Sequence, residues 1–461
     1  MFSKDTYRYR RQTLQNKLGS GVVLLMGNDE SGMNYADNTY RYRQDSTFLY
    51  YIGIDVPGLY AVIDIDNDET ILFGDDYSID QIVWMGEMPS VKTLAEKSGI
   101  EKTAGLNQLK DYLKTKTDKL MFLPPYRAEH QLKLWNLLSV LPDESAVKAS
   151  IPLIQAIASQ RNIKSEEEIA ELEHAATVTA QMHRAAMRFA LPGMTEASVV
   201  AKVNETALAA GGDISFPIIA TINGQTLHNH YHGNIIHEGQ LFLLDAGYET
   251  VRGYAGDMSS TFPVSPTFSS QQKDIYNIAL KAHNEAISSL KPGVNFKDIH
   301  LKTAGIIFEG LKTMGLTKGN TEDAVANGAH ALFFPCGSGH LLGLDVHDME
   351  NLGEQWVGYG GEPKSTQFGL KSLRLGMNLK PGNVLTIEPG IYFIPELIDL
   401  WAKNKTNAAF LNFDKISEYI GFGGIRNEED VLITNESYRI LGEPLAKTIE
   451  EVEYERSFAF Q

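Results

Sequence analysis

Five residues in the C-terminal half are of the types that hold metal ions: Asp245, Asp257, His340, Glu388 and Glu428. Each sits in a short phrase, LLDAG, YAGDMSSTFP, GHLLGLDVHD, TIEPGIYF and GIRNEEDVLIT in chain order. Four carboxylates and one imidazole make a mostly hard-oxygen set. Such a set suits divalent cations of the Mn²⁺, Co²⁺ or Fe²⁺ type, with Zn²⁺ as a further option. Four negative charges match two divalent ions, which points to hydrolysis at a two-metal site with no need of a Ser or Cys nucleophile. A single acid of this kind is ordinarily a solvated surface carboxylate. Asp245, Glu388 and Glu428, however, each adjoin a run of β-type apolar residues, and a carboxylate at the end of a buried strand is unfavourable unless paired or metal-bound.

The elements that must position these groups can be read locally. Gly239 to Leu244 (GQLFLL) is a strand that Asp245 ends, and Asp257 follows a Gly-containing turn, so the two acids belong on adjacent strands of a hairpin. Glu388 sits in VLTIEP, and Glu428 precedes Glu429 and Asp430, which are expected to be solvated or ion-paired. Gly339 and Gly343 flank His340 and leave room for a metal to approach. His228, His230 and His232 alternate and could share one face of an extended segment.

A weak repeat organises this half. Leu191-Pro192-Gly193 joins two helical patterns, and Leu290-Lys291-Pro292-Gly293 does the same about 100 residues later. Each unit precedes one acidic pair, Asp245/Asp257 and then Glu388/Glu428, so two facing αβ halves would bring both pairs to a shared centre. A helix start is marked at Ser165, where Ser165 and Glu168 form a capping box and Glu166 and Glu167 suit the positive helix end. Upstream, Gly21–Met26, Leu59–Ile65, Thr70–Phe73 and Leu120–Leu123 read as strands. Helical patterns lie around Ser90–Ser98 and Ala128–Leu138. This region is α/β and holds none of the five.

The five motifs in this order, with Arg43-Gln44-Asp45-Ser46 near the N-terminus, resemble the pita-bread metallopeptidases, the family of methionine aminopeptidase, aminopeptidase P and prolidase, in their Xaa-Pro-cleaving branch. The resemblance implies a creatinase-like, non-catalytic α/β domain over residues 1–157. It implies an α+β pita-bread catalytic domain with a pseudo-two-fold repeat over 158–461. One of Asp245 and Asp257 would chelate a single ion and the other bridge two, although the interval between them is one residue longer than usual. Two divalent ions are implied, Mn²⁺ first and Co²⁺, Zn²⁺ or Fe²⁺ as alternatives. Only Glu428 of its acidic trio matches a ligand.

His228 and His347 match substrate-facing imidazoles, while His230 and His232 fall to surface or structural roles. Glu388 would also take the nucleophile's proton. Arg374, in GLKSLR, matches a prolidase segment whose Arg grips the substrate's C-terminal carboxylate, which favours dipeptides. Tyr392 and Arg426 match substrate-side and supporting positions. Cys336 stands four residues before His340, where the family usually has a substrate-facing His. A weakened peptidase, an altered substrate choice and a catalytic or metal-binding thiol are the three readings of that change.

The implied activity is hydrolysis of the Xaa-Pro bond of dipeptides. Its alternatives are removal of the N-terminal residue from longer Xaa-Pro peptides, hydrolysis of a non-peptide amide, and a metal-binding protein without activity. The bond before proline has no N–H, so sites that grip that N–H cannot read it. A homodimer is implied, with the N-terminal domain helping to shape the partner's site.

Composition narrows the rest. A net charge of −17 over 461 residues argues against nucleic-acid or anionic-membrane partners, which need basic surface. One cysteine cannot form an internal disulfide, and no apolar run reaches the length of a membrane span. The N-terminal MFSKDTYRYRRQ has no apolar segment behind it, so a cytoplasmic location is expected.

Overall fold

The computed structural model describes residues 1–461. The chain forms two compact units, Met1–Arg161 with Met349–Val357, and Asn162–Asp348 with Gly358–Gln461. The Ile151–Arg161 helix runs through the position at which the sequence places a boundary. No helix is long and apolar enough to cross a membrane.

The first unit is built on a five-stranded sheet in the order Lys102–Ala104, Glu69–Phe73, Tyr60–Asp64, Val22–Met26, Leu120–Met121. Its three central strands are antiparallel and each edge strand runs parallel to its neighbour. Val22–Met26 is buried along its whole length, which is why it reads as an unbroken apolar run rather than an alternating one. Leu24, Val62, Phe73, Leu109 and Leu134 form its core. Four of the strands and the helices Val91–Lys97 and Ala128–Leu138 fall where the sequence pattern sets them, while the edge strand Lys102–Ala104 is not foreseen by it. The short Ile79–Met85 helix, which buries none of its residues, has no such signal.

The second unit begins with the Glu166–Phe189 helix. Ser165 accepts the Glu168 N–H and the Glu168 carboxylate accepts the Ser165 N–H, closing the capping box. The repeat is physical. Helices Glu166–Phe189 and Glu196–Ala209 are joined through Gly193, and helices Ser270–Ser288 and Phe296–Thr313 through Gly293. Both glycines are left-handed, at φ +90° and +85°, a conformation other residues adopt only with strain. Each donates its N–H across to a later segment, Gly193 to Ile236 O and Gly293 to Leu379 O, both at 2.8 Å.

Each helix pair is followed by a three-stranded antiparallel sheet. The first pairs Ile219–Thr221, Leu241–Ala246 and Met258–Pro263; the second pairs Val384–Ile387, Glu429–Ile433 and Tyr438–Ile440. The acids hold matching places in the two. Asp245 is near the end of one strand and Asp257 immediately before its partner; Glu388 immediately follows one strand and Glu428 immediately precedes its partner. The halves are stitched together by Glu428 N–H to Ser259 O (3.0 Å) and Thr261 Oγ1 to Arg426 O (3.1 Å). The long interval between Asp245 and Asp257 is taken up by Tyr248–Glu249, which pairs with Asp213–Ile214, and by a turn closed by Gly253 N–H to Thr250 O.

Candidate metal centre

The five side chains line one cavity of about 290 Å³. Asp257, His340 and Glu428 place one ligand atom each within 4.8 Å of one another, close enough to hold a metal ion. His340 Nε2 lies 3.2 Å from Asp257 Oδ2 and 3.7 Å from Glu388 Oε1. Its other nitrogen lies 3.0 Å from its neighbour's carbonyl, Leu341 O, and its N–H donates to Thr386 Oγ1 at 3.2 Å, so ring and backbone are both held.

The flanking glycines have a different reason from the one the sequence suggests. A Cβ at Gly339 would fall 2.0 Å from Thr386 O, and one at Gly343 would fall 2.5 Å from Asp348 Oδ2. Gly339 lets the His340 segment lie against the second sheet, and Gly343 makes room for the Asp348 carboxylate.

The electrostatics of the set call for cations. Burial, and then the charges of Asp245, Asp430 and Glu388, push the Asp257 carboxyl well above the ordinary range. Burial and the charges of Asp257, Glu388 and Asp245 do the same to Glu428, and burial raises Glu388 against the pull of His340 and Arg426. Asp245 Oδ1 and Asp257 Oδ1 are buried without a hydrogen-bond partner. An orphaned carboxylate oxygen in a protein interior is the position a cation fills, so the donor set fits divalent metal.

Arg426 underlies the set. It donates to Asp245 Oδ2 (2.6 Å), Ser259 Oγ (2.9 Å) and Tyr392 OH (2.8 Å), and Ser259 Oγ in turn donates to Glu428 Oε2 (2.7 Å). Arg426 and Tyr392 come together because Gly390–Tyr392 and Gly424–Arg426 pair as antiparallel strands. Both are buried, beneath the acids.

His347 packs against His340 with ring centroids 4.2 Å apart. Burial, with the charges of His340, Arg374 and His228, pushes its pKa down to about 2, so the ring is neutral at physiological pH. His228 lines the same cavity from an exposed loop, its pKa lowered by partial burial and by Arg426. Arg374 is half-buried, and its charge is felt by His228, His347 and Glu388.

Cys336 also lines the cavity, packed against Ile219, Leu243 and Tyr392. Burial and the Glu388 charge push its thiol up to about 12. A thiol that stays protonated is a poor nucleophile.

Of the expectation that the two acids after Glu428 are solvated or ion-paired, the first half is corrected. Glu429 and Asp430 are not solvated: they are 7% and 0% exposed. Asp430 Oδ2 accepts the Asp257 N–H at 3.1 Å, and Glu429 lies 3.9 Å from the ring of His283, which burial keeps neutral with a pKa of about 3. His230 is exposed at the rim of the cavity, and the ring of His232 hydrogen-bonds Ile218 O at 3.0 Å. Sequence reasoning missed Ser259, Asp430 and the apolar wall of Phe216, Pro217, Leu227 and Val346. For Asp430 the signal was its place inside the continuous strand EDVLI.

Comparison with known proteins agrees with this geometry. Residues 7–121 match the aminopeptidase P N-terminal domain and residues 170–435 match metallopeptidase family M24. The human and rat Xaa-Pro dipeptidases are 29% and 30% identical, each over 94% of this chain and 88% of theirs. A probable Xaa-Pro aminopeptidase of Aspergillus niger is 29% identical with the same coverage. Among solved structures, zinc-substituted Escherichia coli aminopeptidase P in complex with product superposes with a TM-score of 0.82 at 27% identity, over 99% of both chains. Pseudomonas aeruginosa aminopeptidase PepP gives 0.81 at 25%, over 100% of this chain and 99% of that one. With its paired αβ halves in the pita-bread arrangement behind an aminopeptidase P-type N-terminal domain, the chain belongs to metallopeptidase family M24.

Proposed function

We propose that this chain hydrolyses the bond between an N-terminal residue and proline, foremost in dipeptides, with two divalent cations, Mn²⁺ first among them. The observation that carries the reading is the gathering of three buried carboxylates, the partly buried Glu388 and His340 around one cavity, with orphaned oxygens on both aspartates. Asp245, Asp257, His340, Glu388 and Glu428 are the proposed holders of the cations. Divalent cations in such a set supply a water nucleophile at neutral pH and polarise the scissile carbonyl.

The side chains do the rest. Glu388, its carboxyl raised by burial and the most open of the four with 21% side-chain exposure, accepts the nucleophile's proton. The neutral His347 donates a hydrogen bond to the oxygen on which charge develops, and His228 assists from the opposite loop. Phe216, Pro217, Leu227 and Val346 give the proline ring an apolar wall. Arg374 takes the free carboxylate of the dipeptide as a paired hydrogen-bonded ion.

A second reading, removal of the N-terminal residue from longer Xaa-Pro peptides, is supported by the full-length likeness to aminopeptidase P. A panel of Xaa-Pro dipeptides against Xaa-Pro-Xaa tripeptides with added Mn²⁺ separates the two. Faster dipeptide turnover supports the first reading, faster tripeptide turnover the second, and no turnover of either removes both. The same proposal includes a homodimer, which sedimentation equilibrium tests.

A further inference from the structure

Lysine is almost never fully buried without a partner, yet Lys447 is 8% exposed beneath the acidic set. Its Nζ donates to the carbonyl of Glu428 at 2.7 Å and to the carbonyl of Ser259 at 3.4 Å. The first belongs to the second αβ half and the second to the first, two residues beyond Asp257. The lysine is itself anchored. Its N–H donates to Glu451 Oε2 (3.0 Å), inside the capping box that opens the Ile449–Ser457 helix, and its carbonyl accepts the Tyr276 hydroxyl (2.9 Å). Burial lowers the pKa of its ammonium, and the charges of Glu429, Glu428 and Asp430 oppose that shift.

We propose that Lys447 is a positioning residue of the metal centre, its ammonium tying the Glu428 and Ser259 carbonyls together and so fixing Glu428 against the strand that follows Asp257. Ser259 completes the grip from the other side, since its carbonyl also accepts the Glu428 N–H and its hydroxyl donates to the Glu428 carboxylate. Glu428 is thus held at its main chain by Lys447 and at its side chain by Ser259. The proposal rests on the reading of Glu428 as a metal ligand.

Electrostatics alone predicts the opposite outcome of losing this lysine. A positive charge under the site repels cations, so removing only the charge would tighten metal binding. Removing a tether would loosen it. The sign of the change therefore decides.

The test is calorimetric titration of Mn²⁺ into metal-stripped wild type, Lys447→Met, Lys447→Gln, Glu428→Gln and Leu311→Ala, the last a fully buried core residue of the Phe296–Thr313 helix. Lys447→Met is expected to bind Mn²⁺ about ten- to a hundredfold more weakly, the range seen when a ligand's supporting partner is lost. Lys447→Gln keeps a donor in the same space and falls between the two; it carries the test should the methionine variant not fold. Binding by both variants as tight as wild type, or tighter, overturns the proposal. So does an equal loss in Leu311→Ala, which would make the effect one of general destabilisation. Wild type that binds no Mn²⁺, or Glu428→Gln that binds it unchanged, overturns the ligand reading itself and the proposal with it.

Discussion

Arg426 offers the sharpest quantitative test, because its contribution can be measured in metal-stripped protein. It is buried among the acids, with three side-chain hydrogen bonds to Asp245, Ser259 and Tyr392. The charges of Tyr392, Asp245, Glu388 and Glu428 raise its pKa against the burial, so it is a fixed cation. Arg426→Met keeps much of the volume and removes the charge. The variant leaves Asp245 buried beside Asp257, Glu388 and Glu428 with no partner for Oδ2. Breaking a buried ion pair from one side costs about 3–5 kcal/mol. At about 2 °C per kcal/mol for a large domain, the melting temperature falls by roughly 6–10 °C. The assay is thermal unfolding by fluorescence in chelator, repeated with Mn²⁺. The Mn²⁺-induced rise should be larger in the variant, because cations then supply the charge Asp245 has lost. A variant that melts within about 2 °C of wild type in chelator would refute the reasoning, since the acids would then not depend on Arg426 for their balance.

Four further outcomes are expected. Asp257→Ala or Glu428→Ala should lose bound cation and nearly all hydrolysis while far-ultraviolet circular dichroism is unchanged; full activity at unchanged metal content would contradict the ligand assignment. Arg374→Ala should slow dipeptide cleavage more than tripeptide cleavage, and equal effects would remove the dipeptidase reading. Cys336→His should raise Xaa-Pro turnover by about tenfold, or 1.4 kcal/mol of transition-state stabilisation. The packing of Cys336 on Ile219, Leu243 and Tyr392 leaves a larger ring only the cavity to enter, and no gain would mean that this position is not limiting. His283 has a folded pKa of about 3 against an ordinary 6.5, so its contribution is complete above pH 6.5 and is lost as pH falls toward 3. The buried carboxyls titrate in the opposite sense, so the comparison must be between variants. His283→Gln should lose about 1.4 kcal/mol less stability per pH unit than wild type between pH 6 and 4 by urea unfolding, and parallel slopes would refute it.

Much of this architecture is written locally in the sequence. The Ser165 capping box and the Gly193 and Gly293 turns are short-range chemistry, so they are readable without tertiary knowledge. The five chemistry-bearing residues stand out because each adjoins an apolar strand or a glycine, and they do lie around one cavity; their role as ligands is what the metal titrations test. The support beneath them was opaque. Ser259 and Lys447 look like surface residues until opposed strands enclose them, and nothing in a local window shows that two halves about 100 residues apart close over them. The glycines beside His340 illustrate the same limit. A glycine signals close approach, but only the fold shows that the approaching group is the Thr386 carbonyl.

The central claim is that cations held by this set drive Xaa-Pro hydrolysis. The most direct measurement strips the protein of metal, adds Mn²⁺ in steps, and records bound metal and hydrolysis of one Xaa-Pro dipeptide in the same samples. The account predicts no turnover in the stripped protein and turnover rising with occupancy to two ions per chain, and the same titration of Asp257→Ala stays flat. Turnover in the stripped protein, or none at full occupancy, would contradict it.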